Sequence, residues 1–533
     1  MIMIDQRTHV VQDLRSSFII QAPAGSGKTT LLLQRYNNIV QLQPDAHVLF
    51  ITFSRASQQD IASKIQQRDK TYVHTVDSLA SHITKVRPVD SMLLSYELFS
   101  SIDRCKRWEL HSDLIHYAKL SSGKMLPYNQ LQSLVHQLFI TRDQYHLHSP
   151  LLVHIDSHSS YDYIKICYLC INMLRKPNIL SEVRHIFFDE IQDLSLLHKD
   201  LLHKLVKYRH SLESITLVGD VMQSIYSFRQ SDVKTFQTLW HSSRIGNHHL
   251  IQVQLTDNFR SHYKLVDQIN KLSLSLPTGG TARSIARSDL CGESSLKLIS
   301  CSSKKHHDGA IKSFIDCYRQ KHPTRNIAVL VLKRSHIGEE LRLFVRNHEN
   351  SCDHTSDVAE EQFIKLYEQA MSSHSCLNCL IGQYMLQHDD DLLDDIHFIL
   401  QPFYERNITL KTEHIKQVLS NRRKKTSCKL VSLNIMTIFQ SKGLEVDCVI
   451  MPNSGRTFLS NHRYPFVTRD KKIITGSSDQ YFSVLEQAQS QIIEEKIRIL
   501  YVALTRARYD VRLYYVGKPH INSFANYISD RSS

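Results

Sequence analysis

The stretch FIIQAPAGSGKTTLLL, Phe18 to Leu33, sets a short apolar run before small residues, then Gly-Lys-Thr, then a second apolar run. The first run predicts a buried strand, and the second a helix that begins near Gly27. Between them, backbone N–H groups at a helix N-terminus can wrap phosphates. In that loop Lys28 would reach the β- and γ-phosphates and Thr29 would hold Mg²⁺. Ala24, Gly25, Ser26, Gly27 and Thr30 complete the expected cradle. Ala22 stands where the usual first glycine would be. Such loops serve kinases, transporters, motors and switches alike. ATP and Mg²⁺ are therefore the expected cofactors, and what the nucleotide drives is left open.

Two further strand ends narrow the choice. IFFDEIQD, Ile186 to Asp193, puts a carboxylate pair after apolar residues. Alone, such a pair is as readily a solvated loop. Beside a phosphate cradle, Asp189 reads as a Mg²⁺ ligand and Glu190 as the base for an attacking water. LVGDVMQSIYSFR, Leu217 to Arg229, places Gln223 where it could sense a γ-phosphate. Tyr226, Phe228 and Arg229 interleave aromatics with a cation, a pattern that suits base stacking or, equally on spacing alone, a core-packed loop.

The same punctuation recurs along the chain. SFIIQA, HVLFITF, HIFFDE and SITLVGD predict strands that alternate with helices, as in parallel α/β domains. From Pro88 to about residue 160 the pattern turns helical, without strand signals. Strands return from Val253, with NIAVLVL, VSLNIMTIF, DCVIMP and VRLYYV, and are interrupted by helical sequence from about Asn347 to Lys425. The expected layout is a first α/β domain at 1–87 and 160–252 with a helical insertion at 88–159. A second follows at 253–346 and 426–533, with a shorter insertion at 347–425.

The 533 residues carry a net charge of +13, which favours polyanions, most simply nucleic acid. Eleven cysteines in a chain of this length make no disulfide framework, and no apolar run reaches the ~20 residues of a membrane span. Charged residues begin at Asp5 without a secretory apolar region behind them. The expected location is cytoplasmic, or nuclear in a eukaryotic host, with reduced thiols and no membrane partner.

Taken in order, AGSGKTT, ITFSRAS, DEIQD, VGDVMQSIYSFR, DNFRS, QSKGLE and LYVALTRAR resemble the motifs of superfamily 1 DNA helicases of the UvrD/Rep/PcrA group, from Gln6 to about Arg508. The resemblance implies two RecA-like P-loop domains that clamp ATP between them, each with a helical insertion. It makes Gln6 the adenine-reading glutamine. Lys28, Thr29, Asp189, Glu190 and Gln223 match their family counterparts. Arg260 and Arg506 take the places of two arginines that reach the γ-phosphate from the second domain. Phe259 stands for the tyrosine that stacks on adenine, and Glu445, beside Gly443, resembles the ribose ligand. Thr52, Phe53, Tyr226, Phe228 and Arg229 become candidates for gripping single-stranded DNA, with movement 3′ to 5′. The implied partners are single-stranded DNA and single/double-strand junctions.

Departures from the pattern bear on the grip. Asp77 in VHTVDSLA and Phe439 in TIFQSKGLE occupy positions where the family has histidine, and Phe228 replaces a common tryptophan. The short second insertion favours ATP hydrolysis and translocation over processive unwinding. The alternative expectation is therefore a nucleotide-switched component of a larger machine, such as an antiviral complex with a nuclease partner. A small-molecule kinase or a transporter ATPase would leave DNFRS and VALTRAR unexplained. The Cys167/Cys170 and Cys376/Cys379 pairs lie in different expected domains and read as ordinary cysteines rather than zinc ligands. NRRKK at 421–425 and DDDLLDD at 389–395 read as solvated segments.

Overall fold

The computed structural model describes residues 6–65, 67–86, 163–226, 233–273, 283–332, 337–348, 368, 433–457, 466–467, 473–474 and 493–532. The expected insertions lie outside these residues, apart from 347, 348 and 368. So do Phe228, Arg229, the Cys376/Cys379 pair and both charged runs.

Two parallel sheets with helices on their faces make the framework, as the apolar strand runs predict. The N-terminal strands are β1 (Ser17–Gln21), β2 (His47–Thr52), β3 (Thr71–Thr75), β4 (Val183–Phe188), β5 (Ser214–Gly219), β6 (Arg244–Ile245) and β7 (His248–Gln254). They lie in the order β3-β2-β4-β5-β1-β7-β6, parallel except for β6 against β7. Because β7 pairs with β1 along its length, the first sheet runs to Gln254, past residue 252. A short pair, β8 (Asp257–Asn258) and β9 (Ile285–Ala286), leads into the second sheet. That sheet contains β10 (Ser295–Cys301), β11 (Ile327–Val331), β12 (Leu433–Thr437), β13 (Val446–Met451) and, after the two-residue strands β14 (Phe466–Val467) and β15 (Ile473–Ile474), β16 (Ala507–Val516). Its order is β10-β16-β13-β11-β12, all parallel.

Strand alternation divides the first sheet's core. Ile19, Leu49, Ile51, Ile186, Phe188 and Leu217 face one cluster. Phe18, Ile20, Val48, Phe50, Phe187 and Val218 face the other, against Leu31, Leu32, Tyr36 and Ile39 of α2 (Lys28–Leu42). A third buried cluster joins the two domains: Ala24, Met222 and Ile225 of the first pack with Leu500, Tyr501 and Leu504 of the helix at 493–504.

One buried cation holds the start of the chain. The Arg35 guanidinium meets the carbonyls of Val10, Asp13, Leu14 and Ser16 and lies 4.8 Å over the Phe18 ring. It fixes α1 (Gln6–Gln12) against α2 and so carries Gln6 and Arg7 to the phosphate-loop end of the domain.

Candidate nucleotide cleft and strand-binding face

The loop after β1 turns through two glycines with left-handed backbone, Gly25 at φ +77° and Gly27 at φ +73°. That conformation strains a side-chain-bearing residue. Gly27 caps α2, whose first N–H groups have no intrahelical acceptors and point at the space over the loop. Gly25 is constrained twice over, because a Cβ there would sit 2.7 Å from Asn258 Oδ1. Asn258 ties the second domain's entry to the loop: its amide donates to the Ala24 carbonyl at 3.1 Å and its oxygen accepts from the Arg260 and Ser261 N–H groups. The Phe259 N–H adds a bond to the Gly25 carbonyl at 2.8 Å. Ala24 and Ser26 are buried and Thr30 is exposed on the first turn of α2.

Phe259 is half exposed, with the Arg7 guanidinium 5.0 Å from its ring centroid. Arg7 also donates to the Ser26 carbonyl. An aromatic face and a cation therefore meet at the lip of the loop, with the exposed Gln6 next to Arg7 in the chain, in keeping with a site for a flat base.

The carboxylates converge on the same loop. Lys28 Nζ lies 3.2 Å from Glu190 Oε1, and the Thr29 hydroxyl donates to Asp189 Oδ2 at 3.4 Å. Burial pushes the Asp189 carboxyl well above its usual range, helped by the neighbouring Glu190 charge and only partly offset by Lys28. Burial acts upward on Glu190 too, but Lys28 and Lys442 outweigh it and hold the carboxyl below its usual range. Asp189 thus sits in a buried place short of positive charge, with a hydroxyl and a carboxylate oxygen side by side. That hard-oxygen pair fits Mg²⁺, which Thr29 and Asp189 would hold and which would neutralise phosphate charge when bound.

From the second domain, cations enter the cleft. Arg506 is buried; its guanidinium donates to Gln223 Oε1 at 3.1 Å, while Gln223 Nε2 donates to Asp220 Oδ2 at 2.7 Å. Burial, with Arg260 nearby, lowers Arg506 to about 9. Arg260 donates to Glu445 Oε1 at 2.8 Å and to the Thr505 carbonyl at 3.0 Å. Gly443 takes a left-handed turn at φ +89° just ahead of Glu445. Arg498 donates to the Ser224 carbonyl at 3.0 Å. The structure therefore brings Lys28, Thr29, Asp189, Glu190, Gln223, Arg260, Glu445 and Arg506 to one cleft.

Beside it runs an aromatic column. Phe53 and Tyr226 are nearly parallel at 6.0 Å between centroids, and Phe439 lies 6.3 Å beyond Tyr226, from the second domain. Thr52, expected in the grip, is instead fully buried: the last residue of β2, a strand paired on both sides, it points its hydroxyl into the sheet's packing. Asp77 lies in the first turn of α4 (Val76–Thr84), whose start is closed by a reciprocal capping box of Thr75 and Ser78. A carboxylate is favoured at that helix end. His74 and His82 lie 5.0 Å apart beside it; burial, with His82 and Lys85, lowers His74 to about 4. Cys167 and Cys170 are buried in the first core, and burial pushes the Cys170 thiol up to about 12, in line with an ordinary core cysteine. Among the described residues no His, Cys, Asp and Glu side chains gather in a metal-binding group of three or more, and no helix is long and apolar enough to cross a membrane.

Asn258, Lys442, Asp220 and Arg7 also build the site, although sequence reasoning does not single them out. Three stand inside quoted motifs, DNFRS, QSKGLE and VGDVMQSIYSFR, and Arg7 directly follows Gln6. Their signal was proximity to chosen residues; Asp220 acts on nearby Gln223, while Asn258, Lys442 and Arg7 reach partners distant in sequence.

A family model for the UvrD/REP helicase N-terminal domain matches residues 3–243, and one for the UvrD-like helicase C-terminal domain matches residues 386–517. The ATP-dependent DNA helicase SRS2 of Saccharomyces cerevisiae is 23% identical over 239 residues, which is 44% of this chain and 18% of that protein. An ATP-dependent helicase/nuclease protein of Listeria monocytogenes is 30% identical over 118 residues, 20% of this chain and 10% of that one. Its namesake in Staphylococcus haemolyticus is 32% identical over 93 residues, 17% of this chain and 8% of the relative. The chain thus spans less than a fifth of the length of each of these relatives.

Proposed function

As a member of the UvrD-like superfamily 1 helicases through both of its domains, the chain has the parts of an ATP-driven motor, and we propose that it hydrolyses ATP in its interdomain cleft to move on single-stranded DNA and unwind duplex. The observation that carries the proposal is Arg506 of the second domain donating to Gln223 of the first, 3.1 Å apart and buried, next to Lys28 and Glu190. A group on one domain can then feel the phosphate held by the other.

In this reading Gln6 and Phe259 hold the adenine and Glu445 the ribose. Lys28 and the first turn of α2 hold the phosphates. Glu190 takes the proton of the attacking water, oriented by Gln223. Arg260 and Arg506 stabilise the charge that builds on the transferred phosphoryl group. Loss of that charge after hydrolysis loosens the second domain's hold, and the cleft opens. Phe53 and Tyr226, together with Phe228 and Arg229, grip the strand, which shifts by a step per cycle, 3′ to 5′. Single/double-strand junctions are the natural substrate, in DNA repair, replication or recombination. Such work places the chain with DNA, in the cytoplasm or a eukaryotic nucleus.

A second reading draws on the relatives whose names join helicase to nuclease. Here the chain is the helicase-like component of a larger machine, such as an antiviral complex, and a nuclease partner completes it. Strand displacement on duplexes with 3′ or 5′ tails decides between them. The motor reading expects unwinding from the 3′ tail by the isolated chain, abolished by Lys28→Ala. Unwinding that appears only with a co-purified partner favours the second reading, and unwinding from the 5′ tail alone contradicts the polarity.

A further inference from the structure

Lys442 has more acceptors than protons. Its buried ammonium, 8% exposed, makes an ion pair with Asp193 and donates to the Gln223 carbonyl at 2.9 Å. It also lies 3.7 Å from Glu190 Oε2 and 4.8 Å from the centroid of the Tyr226 ring. An ammonium has three N–H donors. Two go to Asp193 and Gln223, and the third faces both the π-face and Glu190 Oε2, an oxygen that also accepts from the Gln192 amide. Glu190 meets Lys28 through Oε1 and Lys442 through Oε2, so the two lysines hold different oxygens of one carboxylate.

On the reading of the chain as a DNA-driven ATPase, we propose that Lys442 is a positioning residue through which base stacking at Tyr226 sets the placement of Glu190. Phe53 and Tyr226 lie 6.0 Å apart and nearly parallel. A base sandwiched face to face between two rings needs about 7 Å, two contacts of about 3.5 Å. Its entry therefore displaces Tyr226, the ring against which Lys442 rests. With the π-face withdrawn, the third proton of Lys442 turns fully to Glu190 Oε2, beside the Gln192 amide that donates there. Lys442 and Gln192 together then hold the carboxylate when Lys28 turns from Oε1 to the phosphates. Strand occupancy becomes a condition of hydrolysis, carried by one side chain from the second domain. Gln223 shares the link, since its carbonyl binds Lys442 while its side chain binds Arg506.

The test measures ATP turnover by the full chain without DNA, with saturating oligo(dT), and with a saturating abasic oligomer of the same length. The abasic strand keeps the phosphates and lacks the bases. For the wild type, oligo(dT) stimulates turnover and the abasic strand binds without comparable stimulation. In Lys442→Met the ratio of stimulated to unstimulated turnover falls about tenfold, the worth of one hydrogen bond to a charged group, while oligo(dT) affinity changes far less. Lys442→Arg restores most of the ratio. Equal stimulation by the abasic strand overturns the proposal without recourse to a variant. So does a Lys442→Met protein in which both turnovers fall together and the ratio stands, as expected of a mere brace between domains. No stimulation of the wild type by oligo(dT) would remove the motor reading itself, and the coupling with it.

Discussion

Replacing Arg506 by lysine separates charge from position in the cleft. Arg506 is buried, and its surroundings lower the guanidinium from 12.5 to about 9. The same burial favours the neutral form of a lysine placed there. A neutral amine stabilises no phosphoryl charge, so the Arg506→Lys to wild-type kcat/KM ratio should fall as pH rises and the free enzyme's buried ammonium gives up its proton. Arg506→Ala should lose at least about 10³ in kcat, or about 4 kcal/mol, at every pH. It should also lose about 1–3 kcal/mol of stability, because Gln223 Oε1 loses its donor. The assay is DNA-stimulated ATP turnover from about pH 6 to about pH 8.5, read as kcat/KM for ATP. A ratio for Arg506→Lys that is flat with pH would refute the argument from burial. An Arg506→Ala protein with near-normal kcat would refute the role of the residue.

Asn258→Ala removes one hydrogen bond that ties DNFRS to the phosphate loop and two that brace DNFRS itself. It should cost about 1–3 kcal/mol in thermal denaturation and raise the KM for ATP. Gly25→Ala combines φ +77° with a Cβ 2.7 Å from Asn258 Oδ1. It should cost at least about 1 kcal/mol; the Asn258→Ala background should relieve the contact but leave the backbone strain, as a double-mutant cycle would show. His185 is fully buried between Ser214 and Gln43, and burial, with Arg35 and Arg184 and against Glu213, lowers it from 6.5 to about 4. Unfolding lets it take up a proton below pH 6.5. Its contribution is therefore complete above that pH and is lost as pH falls toward 4. By pH 5 the wild type should lose about 2 kcal/mol that His185→Gln does not, read from urea denaturation of the first domain.

Much of the site was legible because strand ends and a helix start carry it. Asp189, Gln223 and the Gly-Lys-Thr turn each follow an apolar strand of the first sheet, and a parallel sheet gathers such ends on one edge. β3, β7 and β10 were harder to read. Thr71–Thr75 carries Tyr, His and Thr in a half-covered strand, His248–Gln254 buries only Leu250 and Val253, and Ser295–Cys301 has few buried positions. None shows the continuous apolar run of a central parallel strand. Lys442 and Asn258 were missed for another reason. Their roles come from partners more than 200 residues away in the chain, Gln223 at a separation of 219 and Ala24 at 234. Local pattern does not encode such distances. Thr52 shows the converse: a motif position identifies the segment, but the pleat decides which way the side chain points.

A two-domain ATP cleft driven by single-stranded DNA is tested most directly by ATP turnover of the isolated chain against oligo(dT) concentration. Turnover should rise saturably with the oligomer, the rise should weaken with added salt as phosphate contacts are screened, and it should vanish in Lys28→Ala. Turnover that is indifferent to single-stranded DNA at every salt concentration would contradict a DNA-driven cleft.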